Sequence, residues 1–237
     1  MAKSGEMNSM RSSARKLLAF VLLAFGLLAP RMLAADHVSK PEEVEWTWEV
    51  RPAHVDPKLP NVLLVGDSIT RNYYPEVQRQ LADAANVYLF AASTSVGDPR
   101  LTHQLAEFSA MEAVPFKVVH FNNGMHGWTY SEQEYKAAFP TYLRALHKIA
   151  PKASFIWATI TPVRADDKPG PTNARIEDRN NIAQSFVAAA GIPVDDQHAL
   201  MVHHTDQHED NVHFNAAGAA VQGKQVAEFI RSALGKQ

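Results

Sequence analysis

Val62-Leu-Leu-Val-Gly-Asp-Ser-Ile-Thr70 is the stretch on which the fold turns. Four consecutive aliphatics without polar alternation make a strand buried on both faces, and the Gly-Asp-Ser that follows ends it in a turn. Runs of the same kind recur at Val87 to Phe90, Val118 to Phe121, Ser154 to Ile160 and Ile192 to Val194. Helix-length segments separate them. Tyr74, Val77 and Leu81 fall at helical spacing between Tyr73 and Ala85, and Ile176, Ala183, Phe186, Val187 and Ala190 do so before Gly191, a C-terminal stop. Ser131 and Glu134 have capping-box spacing, and Pro140 predicts a kink or two helices between there and Ile149. A last helix starts near Asn215 and buries Val221, Val226, Phe229 and Ile230. This alternation predicts an α/β fold of three layers: a doubly wound, five-stranded parallel sheet in flavodoxin-like order, covered by helices on both faces.

Outside residues 61–237, which hold this domain, the composition changes. Residues 36–60 are rich in proline and charge, with Trp46 and Trp48 alternating around Thr47, and read as an extended arm packed on the domain. Before them, Arg11, Arg15 and Lys16 precede an apolar run from Leu17 to Ala29, then Pro30 and the small pair Ala34-Ala35. That order is a secretory signal peptide over residues 1–35; the apolar run of 13 residues is short for a membrane span, which needs about 20. The expected product is exported, to a periplasm or the medium, with no stable membrane association after cleavage. Removal of the leader leaves 18 basic and 24 acidic side chains, a net charge of about −6, which argues against nucleic acid as a partner. The chain has no cysteine, so disulfides and thiolate metal sites are excluded.

In an open parallel sheet, functional groups collect where loops leave the carboxyl ends of the strands. Gly66-Asp67-Ser68, Ser95-Val96-Gly97-Asp98, Asn122-Asn123-Gly124 and the stretch from Asp210 to His213 all fall on that edge. A serine hydroxyl needs a base within hydrogen-bond reach, itself held by a third group. His213 can be that base for Ser68, and Asp210, three residues earlier in a turn, can hold the ring. There is no Gly-x-Ser-x-Gly, which counts against a nucleophile elbow of the α/β-hydrolase kind.

Val62 to Thr70 resembles the first block of the SGNH (GDSL-like) hydrolases, and Asp210-Asn-Val-His-Phe-Asn-Ala-Ala-Gly218 resembles their last. The resemblance covers about 61–234 and implies ester hydrolysis with Ser68 as nucleophile, His213 as base, Asp210 as its partner and no cofactor or metal. It also implies three oxyanion donors: the Ser68 N–H, a glycine N–H in a second block and an asparagine side chain in a third. Ser93-Thr-Ser-Val-Gly-Asp98 matches the second block and gives Gly97 that role. The third block departs from the usual Gly-x-Asn-Asp: this chain reads Phe121-Asn-Asn-Gly-Met-His126, and an ungapped match puts Gly124 where the asparagine belongs. Asn123 is favoured as donor, with Asn122 next. Asn-Asn-Gly-x-His resembles a subgroup of exported members, which puts His126 at the mouth of the site against substrate.

Other residues carry blander readings. His203, His204 and His208 read as a solvated loop rather than a zinc site, and Asp166-Asp167 and Asp195-Asp196 as turn residues rather than a glycosidase pair. Tyr73, Tyr74, Trp128 and Tyr130 border the site and could either stack on sugar rings or pack. The expected function is an exported esterase removing acetyl or other short acyl groups from a small-molecule or polysaccharide ester, with carbohydrate as the favoured acceptor. The alternatives are an acyltransferase, lipase or thioesterase on the same site, or a non-catalytic carbohydrate-binding domain.

Overall fold

The computed structural model describes residues 38–235; the leader expected over 1–35 lies outside them. In chain order the elements are β1 (Thr47–Val50), β2 (Asn61–Gly66), α1 (Ser68–Gln80), β3 (Asn86–Ala92), α2 (Arg100–Glu112), β4 (Val118–Phe121), α3 (Glu132–Ile149), β5 (Ser154–Ala158), α4 (Asn173–Ala189), β6 (Val194–Asp195), the short α5 (Gln197–Met201) and α6 (Ala216–Gly235). The sheet order is β1-β3-β2-β4-β5-β6. Strands β3-β2-β4-β5-β6 are parallel and reproduce the predicted flavodoxin-like order. Among the described residues no helix is long and apolar enough to cross a membrane.

The uninterrupted apolar strands have two cores to fill. Leu63 and Val65 of β2, Tyr88 and Phe90 of β3, and Phe155 and Trp157 of β5 face one core, closed by α2, α3 and α4. Their alternates Val62, Leu64, Val87, Leu89 and Ile156 face the other, closed mainly by α1 and α6. The period of two thus appears as a choice between cores, not between core and water.

Three features differ from the sequence expectation. The arm is not merely extended: β1 adds a sixth, antiparallel strand, pairing Thr47 with Ala92 through Val50 with Leu89. Helix α1 begins at Ser68, five residues before its apolar period, because the Asp67 carboxylate accepts from Ile69 N at 3.0 Å and caps it there. Of the kink or two helices expected at Pro140, the second is excluded: α3 runs through it as one helix. A proline inside a helix costs about 3 kcal/mol, whereas Tyr135, Phe139, Tyr142 and Leu146 are buried on either side of it at about 1.5–3 kcal/mol each. The predicted Ser131/Glu134 capping box is formed.

Asp195 also departs from its reading as a turn residue. It ends β6 fully buried and accepts from His120 Nε2 at 2.9 Å and Gln225 Nε2 at 2.7 Å, with Gln197 Nε2 at 3.1 Å. A buried carboxylate in this position needs such donors to offset its lost hydration.

Candidate active site

Strand β2 delivers Ser68 directly into the first turn of α1. The turn is tight enough that a Cβ on Gly66 would sit 2.0 Å from Thr70 Oγ1, so glycine is required by the close approach of strand end to helix. Ser68 is 7% exposed. As the first helical residue it has an N–H with no intrahelical acceptor.

The partner loop lies 145 residues away. Asp210 Oδ1 accepts from the N–H groups of Val212 and His213, both at 2.7 Å, closing an Asx-type turn. That turn brings Asp210 Oδ2 to 2.7 Å from His213 Nδ1, and His213 Nε2 to 2.7 Å from Ser68 Oγ. With a proton on Nδ1 facing the carboxylate, Nε2 is the acceptor for the serine hydroxyl. Partial burial raises the Asp210 carboxyl, but the two N–H groups and the imidazole outweigh it and hold it at about 2. The loop is anchored from behind by the His208–Phe214 bridge, whose rings lie 4.1 Å apart. His208 thus belongs to this anchor, with Nδ1 at 3.1 Å from Thr205 O.

The two donor loops flank β2. Gly97 N–H donates to Ser95 Oγ at 3.1 Å, and a Cβ at Gly97 would strike the Tyr130 ring at 2.7 Å. Asn123 Nδ2 donates to Thr94 O at 3.0 Å, in the loop that carries Gly97, while its buried Oδ1 has no partner among the described residues. Asn122 turns the other way, to Ala158 O at 2.7 Å at the end of β5. The two asparagines are therefore not equivalent, and only Asn123 extends towards the Gly97 loop.

What shapes the 124–130 loop is a residue the sequence did not single out. Arg179 of α4 is fully buried and donates to Gly124 O (2.9 Å), His126 O (2.8 Å) and Gly127 O (2.9 Å), with Tyr130 O at 3.3 Å. Its guanidinium also lies 4.0 Å from the Trp128 ring centroid. One planar cation thereby gathers a run of loop carbonyls that no regular element would satisfy.

His126, the expected substrate contact, sits at the edge of this loop and is held by the arm. Glu42 Oε2 lies 2.9 Å from His126 Nδ1, and Glu42 Oε1 accepts from Gly127 N at 2.8 Å. Burial lowers the imidazole, but the Glu42 hydrogen bond and the charges of Asp67, Glu42 and Glu45 outweigh it, so the His126 pKa is raised. The opposite balance lowers Glu42: its burial is outweighed by His126, Gly127 N–H and Arg179.

Of the aromatic residues expected near the site, Tyr73, Tyr74 and Tyr130 are buried packing groups. Tyr74 hydroxyl donates to Val87 O at 3.1 Å, and Tyr130 hydroxyl accepts from Lys40 N at 2.6 Å. Trp128 is covered by Arg175 and Arg179. The rings at the rim are instead Trp46, edge-on to His126 at 5.9 Å, and Trp48, which is 51% exposed.

Residues 64–221 match the GDSL-like Lipase/Acylhydrolase family. A solved lipolytic protein of the G-D-S-L family from Veillonella parvula aligns with TM-score 0.58 and 19% identity, over 72% of this chain and 98% of that one. A carbohydrate esterase family 3 structure from Talaromyces cellulolyticus aligns with TM-score 0.59 and 17% identity, over 76% of this chain and 100% of that one. An acetyl xylan esterase aligns with TM-score 0.58 and 14% identity, over 72% and 99%. No curated protein sequence matches significantly. The chain belongs to the GDSL-like lipase/acylhydrolase family, the SGNH hydrolases, and is by class a carboxylic ester hydrolase.

Proposed function

We propose that the protein is an exported esterase that removes short acyl groups, acetyl above all, from carbohydrate through an acyl-enzyme on Ser68. The observation that carries this reading is the continuous relay from Asp210 through His213 to Ser68, with both links at 2.7 Å. Ser68 Oγ attacks the ester carbonyl carbon as its proton passes to His213 Nε2. The C–O bond to the sugar then breaks, and the same proton leaves with the departing alcohol. Water, deprotonated by His213, attacks the acyl carbon, and the proton returns to Ser68 as the acid departs. Asp210, ionised throughout the neutral range, steadies the imidazolium.

The developing oxyanion is assigned to the Ser68 N–H, the Gly97 N–H and the second hydrogen of Asn123 Nδ2. An oxyanion is a stronger acceptor than the Ser95 hydroxyl, so it displaces the 3.1 Å bond that Gly97 makes without substrate. Short acyl groups are supported by the loops that leave the strand ends: Arg71-Asn72, Asp98-Pro99-Arg100 and residues 164–172 hold almost no large aliphatic side chain to receive a long chain. Carbohydrate is supported by the carbohydrate esterase and acetyl xylan esterase among the structural relatives and by the Trp46 and Trp48 rim. Export rests on the order of basic, apolar and small residues in 1–35.

The test is acetate release from 4-nitrophenyl acetate and from acetylated xylan, with rapid quench and mass spectrometry of the Ser68 peptide. An acetyl adduct on that peptide, lost in Ser68→Ala together with turnover, is the expected result. Full turnover by a folded Ser68→Ala protein overturns the reading. Protein recovered from the periplasm or medium should begin near Asp36; a full-length product retained in the cytoplasm overturns export.

A further inference from the structure

Arg71 stands three residues after Ser68 in the first turn of α1, a spacing that puts two side chains on one helix face with Cβ atoms about 5–6 Å apart. Its guanidinium carbon lies 5.3 Å from the Trp46 ring centroid and 5.2 Å from that of Trp48, both within cation–π range. Among the described residues the guanidinium has no hydrogen bond and no ion pair.

Glu42, Glu45, Asp98 and Asp67, which bear on this corner, are engaged elsewhere. Glu42 holds His126 and the Gly127 N–H. Glu45 takes Arg100 at 2.9 Å and the Ser93 hydroxyl at 2.8 Å. Asp98 takes Arg100 and Ser39, and Asp67 caps α1. Arg71 is thus a half-buried cation whose side chain is steadied by two indoles while its whole fork of donors stays uncommitted. Trp46 also packs near-perpendicular to the His126 ring at 5.9 Å, and His126 Nε2 has no hydrogen-bond partner among the described residues. Two donor-bearing side chains, the Arg71 guanidinium and the His126 ring, therefore pack on one indole, Arg71 three residues from Ser68, and the neighbouring Trp48 offers an exposed ring.

We propose that this corner is a subsite for a carboxylate-bearing sugar, so that the ester hydrolysed at Ser68 is carried by an acidic, uronate-containing glycan. The inference rests on the esterase reading above and narrows its acceptor. A planar guanidinium pairs with a carboxylate through two parallel N–H···O bonds, and one already fixed in place loses little further side-chain freedom on doing so. The sugar ring lies on Trp48, and His126 supplies a second donor to the same carboxylate or its ring oxygen. The pairing of His126 with Glu42 supports this role, because it favours the protonated imidazole with both nitrogens as donors.

The test separates binding from turnover by using Ser68→Ala protein. Calorimetric titration with oligogalacturonate and with its fully methyl-esterified, neutral counterpart should give at least about tenfold tighter binding of the acid form, equivalent to about 1.4 kcal/mol. In Ser68→Ala/Arg71→Gln that preference should fall to within about twofold, with circular dichroism confirming the fold. Equal affinities in Ser68→Ala, or a preference that persists without Arg71, overturn the proposal. A second arm compares kcat/KM of the active enzyme for nitrophenyl acetate and the nitrophenyl monoester of succinate. An Arg71-dependent preference for the succinate ester, with no preference between the two oligosaccharides, places the carboxylate on the acyl side and overturns the acceptor assignment. Loss of all nitrophenyl acetate hydrolysis would strike the esterase reading alone, since the titrations need no turnover.

Discussion

Two histidines on the same edge of the sheet carry the same device and differ in where the device comes from. His213 Nδ1 meets Asp210 at 2.7 Å, three residues away in its own turn. His126 Nδ1 meets Glu42 at 2.9 Å, 84 residues away and in the arm. The first ring points its other nitrogen at Ser68 Oγ; the second has no hydrogen-bond partner there among the described residues. A carboxylate–imidazole pair is thus only half of a catalytic unit. In the function proposed above, what stands at the other nitrogen decides whether the pair moves a proton in the reaction or holds one for recognition.

The comparison breaks most easily at its catalytic side. Ser68→Ala and His213→Ala should each lower kcat by about 10⁴-fold or more, since nucleophile and base act as a unit, whereas His126→Ala should cost less than about tenfold, mainly in KM. Steady-state rates on nitrophenyl acetate and an acetylated oligosaccharide measure both. A larger loss from His126 than from His213 would exchange their roles.

Asp210→Asn should cost about 10- to 100-fold less than loss of the base. Its carboxyl is held at about 2, so activity should not fall through Asp210 protonation until the pH approaches that value. An acid limb in the ordinary aspartate range, near pH 4, that is absent in Asp210→Asn would contradict the strength of the turn.

Asn123 shares a loop with His126 and sharpens the contrast within it. Asn123→Ala should lower kcat by about 10²- to 10³-fold, the usual cost of one oxyanion donor, with KM little changed. Asn122→Ala should show its effect in thermal stability, through the lost bond to Ala158 O, more than in kcat. The reverse pattern would move the donor to Asn122.

The smallest effect falls on the arm. His126 has a raised pKa, so its share of the Glu42 pair is complete below the unfolded value near 6.5 and is lost as pH rises through the folded value. Glu42 has a lowered pKa, so its share is complete above about 4.3 and is lost as pH falls through the folded value. Glu42→Gln should therefore destabilise by about 1–2 kcal/mol, a few degrees in Tm, most between about pH 4.5 and 6.5 and less on either side. Melting curves across that range check it; a pH-independent difference would mean the pair is not ionic.

The same contrast explains what could be read from the residues alone. Asp210 and His213 were legible because a turn joins them within four residues, and Ser68 because a double-faced apolar strand announces the edge on which it lies. Glu42 and Arg179 were not. Each reaches its partner only through the fold, and nothing in the composition around residue 42 or 179 separates it from a solvated charge. Strand β1 left a faint trace in the alternation of Trp46, Thr47 and Trp48, but its first three residues are exposed, so no apolar run marked it. For the aromatic residues the choice between stacking and packing stayed open for a related reason: spacing puts Tyr73 and Tyr74 in a helix near the site but does not say which side of that helix meets the core.

The antiparallel strand at the sheet edge bears on how β3 is kept from pairing with other chains. Strand β3 reads Asn-Val-Tyr-Leu-Phe-Ala-Ala, with no charge and no proline, the profile of a segment that recruits other chains when its backbone is bare. By pairing with it, β1 replaces that edge with one only four residues long, carrying Glu49 and followed by Arg51-Pro52, a short, charged and proline-stopped border that pairs poorly with a stranger. A chain trimmed to begin at residue 61 would keep Ser68, Asp210 and His213 yet lose this border, and its first failure would be self-association along β3 rather than loss of chemistry.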